Sequence, residues 1–194
     1  MIKAIVFDCF GVLVTDSLQL MVQDLAASNP SAAQEVRDLV GLSNRGIIDP
    51  AEARPKIAKL FGVTTEQYVQ AILKGEDKNT QLLDYIRELR TTYKIGMLSN
   101  IGSNSLHKRF SDEELEEHFD IVVASGDIGY AKPDRQAYEI VAERLGVSVN
   151  ECVFTDDREG FCEAARLCGM QAILFEDFTQ FKRDLALLLE LHKQ

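Results

Sequence analysis

The sequence lacks the features that mark membrane-spanning, secreted or zinc-binding proteins. No apolar run approaches the about 18 residues of a transmembrane helix. Asp8 interrupts the first apolar segment too early for a secretory signal. The four cysteines form neither a CxxC pair nor a zinc-ligand spacing, which favours reduced thiols in a cytoplasmic protein.

Positive charge is scarce as well. The 21 Lys and Arg residues face 31 Asp and Glu residues, which gives a net charge of −10. A nucleic-acid or anionic-membrane partner needs a basic face on the protein, so we expect neither. An anionic small molecule is still compatible with this charge, because a metal ion and a local cation can outweigh distant acids. The oligomeric state cannot be read from the sequence.

The chain is organised around its first apolar segment. Ala4 to Phe7 is rich in β-branched and aromatic residues without polar alternation, which predicts a strand buried on both faces of a parallel sheet. Asp8 follows at its carboxyl end, where open α/β sheets place their ligands. Asp8 is therefore a candidate nucleophile or metal ligand. The alternative is that it only caps a turn or a helix.

The rest of the chain divides into two patterns. Residues 16–78 show helical periodicity only. From residue 79 onward strands alternate with helices, which predicts βαβ units and a parallel sheet with helices on both faces. We therefore predict a core of residues 1–15 and 79–194, with a small helical module of residues 16–78 inserted after the first strand.

Some individual elements are predicted less directly. Ser31 follows Asn29-Pro30 and is predicted to cap the second helix of the insertion. A single helix is predicted over residues 106–119, and a loop over residues 125–133. The polar segment of residues 75–79 is predicted to be a hinge.

Polar residues follow several of the predicted strands at their carboxyl ends. The carboxyl ends of parallel strands meet at one edge of the sheet, so we expect these residues to lie together. The residues in question are Asp8, the pair Ser99-Asn100, Asp156-Asp157, and Lys132 in a loop.

Together these side chains form a coherent chemical set. Asp8 and Asp157 can bind Mg²⁺, which prefers oxygen ligands. Mg²⁺ and Lys132 would offset the charge of a phosphate, and Ser99 can donate to its oxygens. Asp8 can then act as a nucleophile that forms a covalent intermediate. Each residue taken alone also has a structural explanation, as a helix cap or a solvated turn residue.

This ordered set resembles the four motifs of the haloacid dehalogenase (HAD) superfamily of hydrolases, over nearly the whole chain. The helical insertion resembles the small cap of that family. The motifs are the Asp8 loop, Ser99-Asn100, Lys132-Pro133, and residues 154–157 with Glu163 to Arg166 and Gly169.

The resemblance has consequences for both fold and site. It implies a Rossmann-like core, Mg²⁺ dependence, a small phosphorylated substrate and an aspartyl intermediate at Asp8. It makes Asp8, Ser99 and Lys132 catalytic residues, and Ser99, Asn100 and Lys132 substrate-binding residues. It also implies that the metal is held by Asp8, the backbone carbonyl of Phe10 and Asp157, with Asp156 beside it.

The sequence departs from the family pattern at Phe10. Family phosphatases usually carry there a second aspartate, which protonates the leaving oxygen and later activates water, and loss of such a group typically costs ~10²–10⁴-fold in rate. Three hypotheses remain: a phosphatase with a good leaving group or a substitute base, a dehalogenase that needs no proton for halide, or a non-catalytic binding protein. The acid pair Asp156-Asp157 favours the phosphatase.

Overall fold

A single five-stranded parallel sheet forms the centre of the protein in the computed structural model, which describes residues 1–102 and 105–192. The strands are β1 (Ala4–Phe7), β2 (Lys94–Ser99), β3 (Ile121–Ala124), β4 (Cys152–Asp156) and β5 (Gln171–Leu174). Their order in the sheet is β3-β2-β1-β4-β5. The sequence order reverses direction at the central strand β1, as in doubly wound α/β folds.

Alternate residues of the strands point to opposite faces of the sheet, and each face has its own apolar core. Ile5 and Phe7 of β1 face one core, and Ala4 and Val6 face the other. The first core is covered by α5 (Thr80–Leu89) and α10 (Phe178–Leu191), and the second by α8 (Arg135–Leu145) and α9 (Glu159–Cys168). The predicted Rossmann-like sheet with helices on both faces is confirmed.

An all-helical cap follows the first strand. Its helices are α1 (Ser17–Ser28), α2 (Pro30–Asn44), α3 (Pro50–Leu60) and α4 (Thr65–Lys74). They enclose a third apolar core, which includes Val36, Ile57 and Ile72. Within the described ranges, no helix combines the length and the apolar character needed to cross a bilayer.

The chain enters and leaves the cap along neighbouring paths. Val14 and Lys78 form an antiparallel bridge. The backbone N–H of Thr15 donates to Asp77 O at 3.0 Å, and the backbone N–H of Asn79 donates to Leu13 O at 2.9 Å. The two linkers between core and cap are therefore held together as a short ribbon.

Three local predictions need correction. The cap of α2 is Asn29, whose Oδ1 accepts from Ala32 N at 3.1 Å, because Pro30 already occupies the first helical turn. The predicted helix 106–119 is broken into a 3₁₀ turn, Leu106–Lys108, and α6 (Asp112–His118), because Ser111 starts a new helix with its own capping box. The predicted loop 125–133 begins with a short helix, α7 (Ser125–Ile128).

Candidate active site

The carboxyl ends of three neighbouring strands bring the predicted acidic and hydroxyl residues to one edge of the sheet. Asp8 follows β1 directly, Asp156 is the last residue of β4, and Ser99 is the last residue of β2. The backbone N–H of Asp8 donates to Thr155 O at 2.9 Å, so the nucleophile candidate is tied to the neighbouring strand. Parallel pairing thus sets the relative positions of the carboxylates.

Lys132 is the cation at the centre of this edge. Its Nζ lies 2.6 Å from Asp8 Oδ1 and 2.6 Å from Asp156 Oδ2, and its side chain is only 1% exposed. The side chain of Asn100 holds the lysine loop in place, since it accepts from Lys132 N and donates to Lys132 O, both at 2.8 Å. The lysine is therefore positioned by the residue that follows β2.

Burial and mutual repulsion perturb the carboxylates strongly. Burial raises the pKa of Asp8 to about 7, with Asp156 adding to the effect and Lys132 opposing it. Burial and the neighbouring Asp156 also raise the pKa of Asp157 to about 6. For Lys132, burial lowers the pKa, but the charges of Asp8 and Asp156 outweigh it and the net shift is upward. A further positive charge would stabilise the ionised site.

The three carboxylates fit a hard divalent cation. One oxygen each from Asp8, Asp156 and Asp157 lies within 4.8 Å of the others. Asp157 Oδ1 is buried and has no hydrogen-bond partner among residues 1–102 and 105–192. This orphaned oxygen, in an all-oxygen donor set with one lysine against three acids, matches what Mg²⁺ requires.

Gly11 makes room for this arrangement. Its φ is +89°, a conformation that favours glycine, and a Cβ atom at this position would overlap the carboxylate of Asp157. The glycine of the first motif is thus explained by the close approach of Asp157, the residue directly after β4. No other residue type fits there without displacing Asp157.

A cavity of about 610 Å³ lies between the cap and this edge of the sheet. Asp8, Asn100 and Lys132 line its floor, and the cap contributes both polar side chains, including Arg37 and Arg45, and apolar ones. The apolar cap residues are Leu18, Val22, Val36, Val40, Tyr68 and Ile72. A small molecule bound there would contact both the carboxylates and the cap.

The remaining predicted residues, Ser99, Asn100 and Phe10, differ in whether they line the cavity. Ser99 is fully buried, and its Oγ has no hydrogen-bond partner in the described part of the chain. The side-chain amide of Asn100 contacts the backbone of Lys132, although the residue also lines the cavity. Phe10 lines the cavity as well, and the guanidinium carbon of Arg109 lies 5.0 Å from the centre of its ring.

Sequence analysis missed several cavity residues, among them the buried pair Glu76 and Arg109. They form an ion pair of 2.6 Å, with side chains only 5% and 11% exposed. Neither lies on a periodic helix face or at a strand end, because Glu76 belongs to a linker and Arg109 follows a 3₁₀ turn. The available signal for Glu76 was an acidic residue in a polar segment that was predicted to be a hinge.

Comparison with known proteins gives a consistent result. A model of the haloacid dehalogenase-like hydrolase family matches residues 2–169. Phosphatase MT3486 of Mycobacterium tuberculosis (strain CDC 1551 / Oshkosh) is 30% identical over 210 residues, which cover 96% of this chain and 95% of that protein. Fructose-1-phosphate phosphatase YqaB of Escherichia coli (strain K12) is 25% identical over 157 residues, covering 80% and 79%.

Solved structures share the fold. The HAD family enzyme bt-2542 from Bacteroides thetaiotaomicron, in complex with magnesium and inorganic phosphate, superposes with a TM-score of 0.74. The identity is 24%, and the match covers 93% of this chain and 99% of the other. At this identity the likeness concerns the arrangement of strands and helices.

Proposed function

The chain belongs to the haloacid dehalogenase-like hydrolases, and from this membership we propose that it is a Mg²⁺-dependent phosphatase of a small phosphorylated substrate. The main support is the cluster of Asp8, Asp156 and Asp157, whose oxygens lie within 4.8 Å of one another. Because these carboxylates repel one another, a divalent cation bound between them would stabilise the site. The same cation would also bind the anionic oxygens of a phosphorylated substrate. The phosphatase names of the two relatives described above support the same class.

Asp8 is the proposed nucleophile. Lys132 Nζ bonds Asp8 Oδ1, so the carboxylate is held in one orientation and its other oxygen can attack phosphorus. An O–P bond to Asp8 forms while the ester P–O bond breaks, which leaves an aspartyl phosphate and an alkoxide that takes its proton from water, because Phe10 cannot supply one. Water then attacks phosphorus, releasing phosphate and restoring Asp8.

Other residues would bind the phosphoryl group and the metal. In this proposal the buried hydroxyl of Ser99, which lacks a partner among the described residues, donates to a phosphoryl oxygen. Asp8, Asp157 and the backbone carbonyl of Phe10 would hold Mg²⁺, with Asp156 beside it. When bound, Mg²⁺ would supply positive charge that offsets the phosphoryl oxygens.

Substrate specificity would come from the cap. We propose domain boundaries of residues 1–15 and 79–194 for the core and 16–78 for the cap. The separate apolar core of α1–α4 and the paired linkers support this division. The proposed cytoplasmic location rests on the absence of disulfides among the cysteines, all of which are free and buried.

The proposal is tested by phosphate release from aryl and acyl phosphates, with Mg²⁺ and then with EDTA. We expect metal-dependent turnover that Asp8→Asn abolishes and that the exposed control Asp24→Asn preserves. Acid quenching during turnover should leave a phosphoryl group on the peptide that contains Asp8. Turnover that persists in Asp8→Asn would contradict the nucleophile, and turnover that persists in EDTA would contradict the metal.

Phe10 supports one alternative function. A halide leaves carbon without a proton, so a dehalogenase does not need an acid at this position. Metal-independent halide release from 2-haloacids, together with no phosphate release from any ester, would favour this alternative over the phosphatase.

A further inference from the structure

A second, smaller cleft lies between the cap and the core, beside the cavity that contains the proposed nucleophile. Its volume is about 140 Å³, and its walls come from α3 of the cap and from the region after β2, which contributes Ile101 and Lys108. The cap and the core touch at its edge, where a Cβ atom on Gly102 would come within 2.7 Å of Pro50 Cγ. A small ligand in this cleft would therefore contact both parts of the protein.

Two cations from opposite sides line the cleft. Arg54 belongs to α3 of the cap, and Lys108 belongs to the 3₁₀ turn Leu106–Lys108 of the core. Among the residues that the structure describes, no carboxylate oxygen lies within 4.0 Å of the charged nitrogens of either side chain. The third cation of the cleft, Arg109, is paired with Glu76. The cleft thus carries two positive charges without a carboxylate beside them, in a protein whose net charge is −10.

The two side chains are close enough to repel each other. The charge of Arg54 lowers the pKa of the Lys108 amine, and burial and Arg109 add to the effect. Lys108 is exposed and Arg54 is half-buried, so an ion can reach both from solvent. Apolar side chains, among them Ile57 and Ile101, complete the walls and weaken the screening of charge by water. An anion between the two cations would replace their repulsion by two favourable contacts.

We propose that this cleft is a binding site for a small divalent oxyanion, such as sulfate or inorganic phosphate, which would bond Arg54 of the cap and Lys108 of the core at once. Guanidinium and ammonium groups form charge-assisted hydrogen bonds with such anions, and these bonds are stronger than neutral ones. The cleft is smaller than the about 300–1,000 Å³ of sites for drug-sized ligands, which favours a small ion. Because the anion contacts both parts, its binding holds the cap against the core. This inference does not depend on the proposed phosphatase function.

The test is a titration of the protein with sodium sulfate, measured by isothermal titration calorimetry and by thermal unfolding. EDTA prevents an anion from binding through a metal ion, and sodium chloride keeps the ionic strength constant, because a change in screening would otherwise resemble binding. We expect one saturable site per chain and an unfolding temperature that rises with sulfate concentration. Inorganic phosphate should compete with sulfate for the same site.

The double variant Arg54→Gln with Lys108→Gln removes both cations. We expect its dissociation constant for sulfate to rise about tenfold or more, since each lost hydrogen bond to a charged group weakens binding by about that factor. Without sulfate it should unfold at the wild-type temperature or above, because the substitutions remove a repulsion. The matched control is Lys56→Gln with Lys59→Gln, which removes two exposed cations of the same helix outside the cleft and should keep the wild-type affinity.

A second control, Arg37→Gln, tests whether the anion binds in the nucleophile cavity instead. Arg37 lines that cavity and not this cleft, so its replacement should leave sulfate binding unchanged. The inference would be overturned by no saturable binding in the wild type, by wild-type affinity in the double variant, or by a loss of affinity in either control. If the double variant fails to fold by circular dichroism, Lys108→Gln replaces it, and unchanged affinity there likewise counts against the site.

Discussion

Replacing Phe10 by aspartate tests whether only a proton carrier is missing from the site. Phe10 lines the cavity two residues after Asp8, where a carboxyl group could reach the leaving oxygen. A positioned acid–base group contributes typically ~10²–10⁴-fold to rate. We expect Phe10→Asp to raise kcat for an alkyl phosphate by about that factor. An aryl phosphate, whose leaving group needs little protonation, should gain much less.

The substitution also has a cost in stability. The ring of Phe10 is half-buried and lies under the Arg109 guanidinium at 5.0 Å. Losing part of its burial costs about 1–2 kcal/mol, and losing the cation–π contact costs about 0.5–1 kcal/mol. For a chain of this size, a loss of about 2 kcal/mol lowers the unfolding temperature by about 4–8 °C. Assays should therefore run well below that temperature.

The assay measures phosphate release from both esters as a function of pH, with Phe10→Asn as the matched control. Asparagine has nearly the same shape as aspartate, and Phe10→Asn removes the same ring as Phe10→Asp, but an amide cannot transfer a proton. If Phe10→Asn gains as much as Phe10→Asp, the effect is one of space or polarity. If a folded, Mg²⁺-binding Phe10→Asp gains nothing on the alkyl ester, the reasoning about the missing acid is wrong.

Three further predictions concern the carboxylate cluster and its supports. Gly11→Ala would hold an alanine in the left-handed backbone conformation and place its Cβ atom against the carboxylate of Asp157. The Mg²⁺ concentration for half-maximal activity should therefore rise about tenfold or more. An unchanged concentration would refute the close approach of residue 11 to Asp157. Asn100→Ala removes both bonds that hold the Lys132 backbone, so kcat should fall about tenfold or more while the protein stays folded, which circular dichroism checks. The pKa values of Asp8 (about 7) and Asp157 (about 6) are raised in the folded protein. Protonation of these two groups therefore contributes to the free energy of unfolding fully below their unfolded pKa near 4, and this stabilisation is lost as pH rises through 6–7. Mg²⁺ should therefore raise the unfolding temperature more at pH 8 than at pH 5, and an equal shift at both would contradict the metal site.

The sequence predicted the sheet edge because the three central strands β2, β1 and β4 are short, largely apolar runs with a polar residue at, or directly after, the carboxyl end. Asp8 and Asp156 follow this pattern, and parallel pairing then leaves little freedom in where they meet. Lys132 was predicted only as a member of the set, since a loop lysine has no periodicity of its own. Its contacts depend on Asn100, which holds the loop across a gap of 32 residues.

The Glu76–Arg109 pair shows what sequence patterns cannot supply. Its members are 33 residues apart and lie in irregular segments, so no period or strand end connects them. The error at the start of α2 has a simpler cause. A proline at the first helical position requires the cap to precede it, so Asn29 and not Ser31 fills that role.

The ribbon formed by Val14 and Lys78 has a consequence for how this architecture tolerates change. The segment between those two residues is an insertion whose two ends are already paired next to the sheet. The entropic free-energy cost of closing such a loop grows only slowly with its length, by about 0.6 kcal/mol for each doubling. Modules of very different size could therefore replace α1–α4 with little penalty to the sheet, so the acidic edge of the sheet can be kept while the helical cap is exchanged.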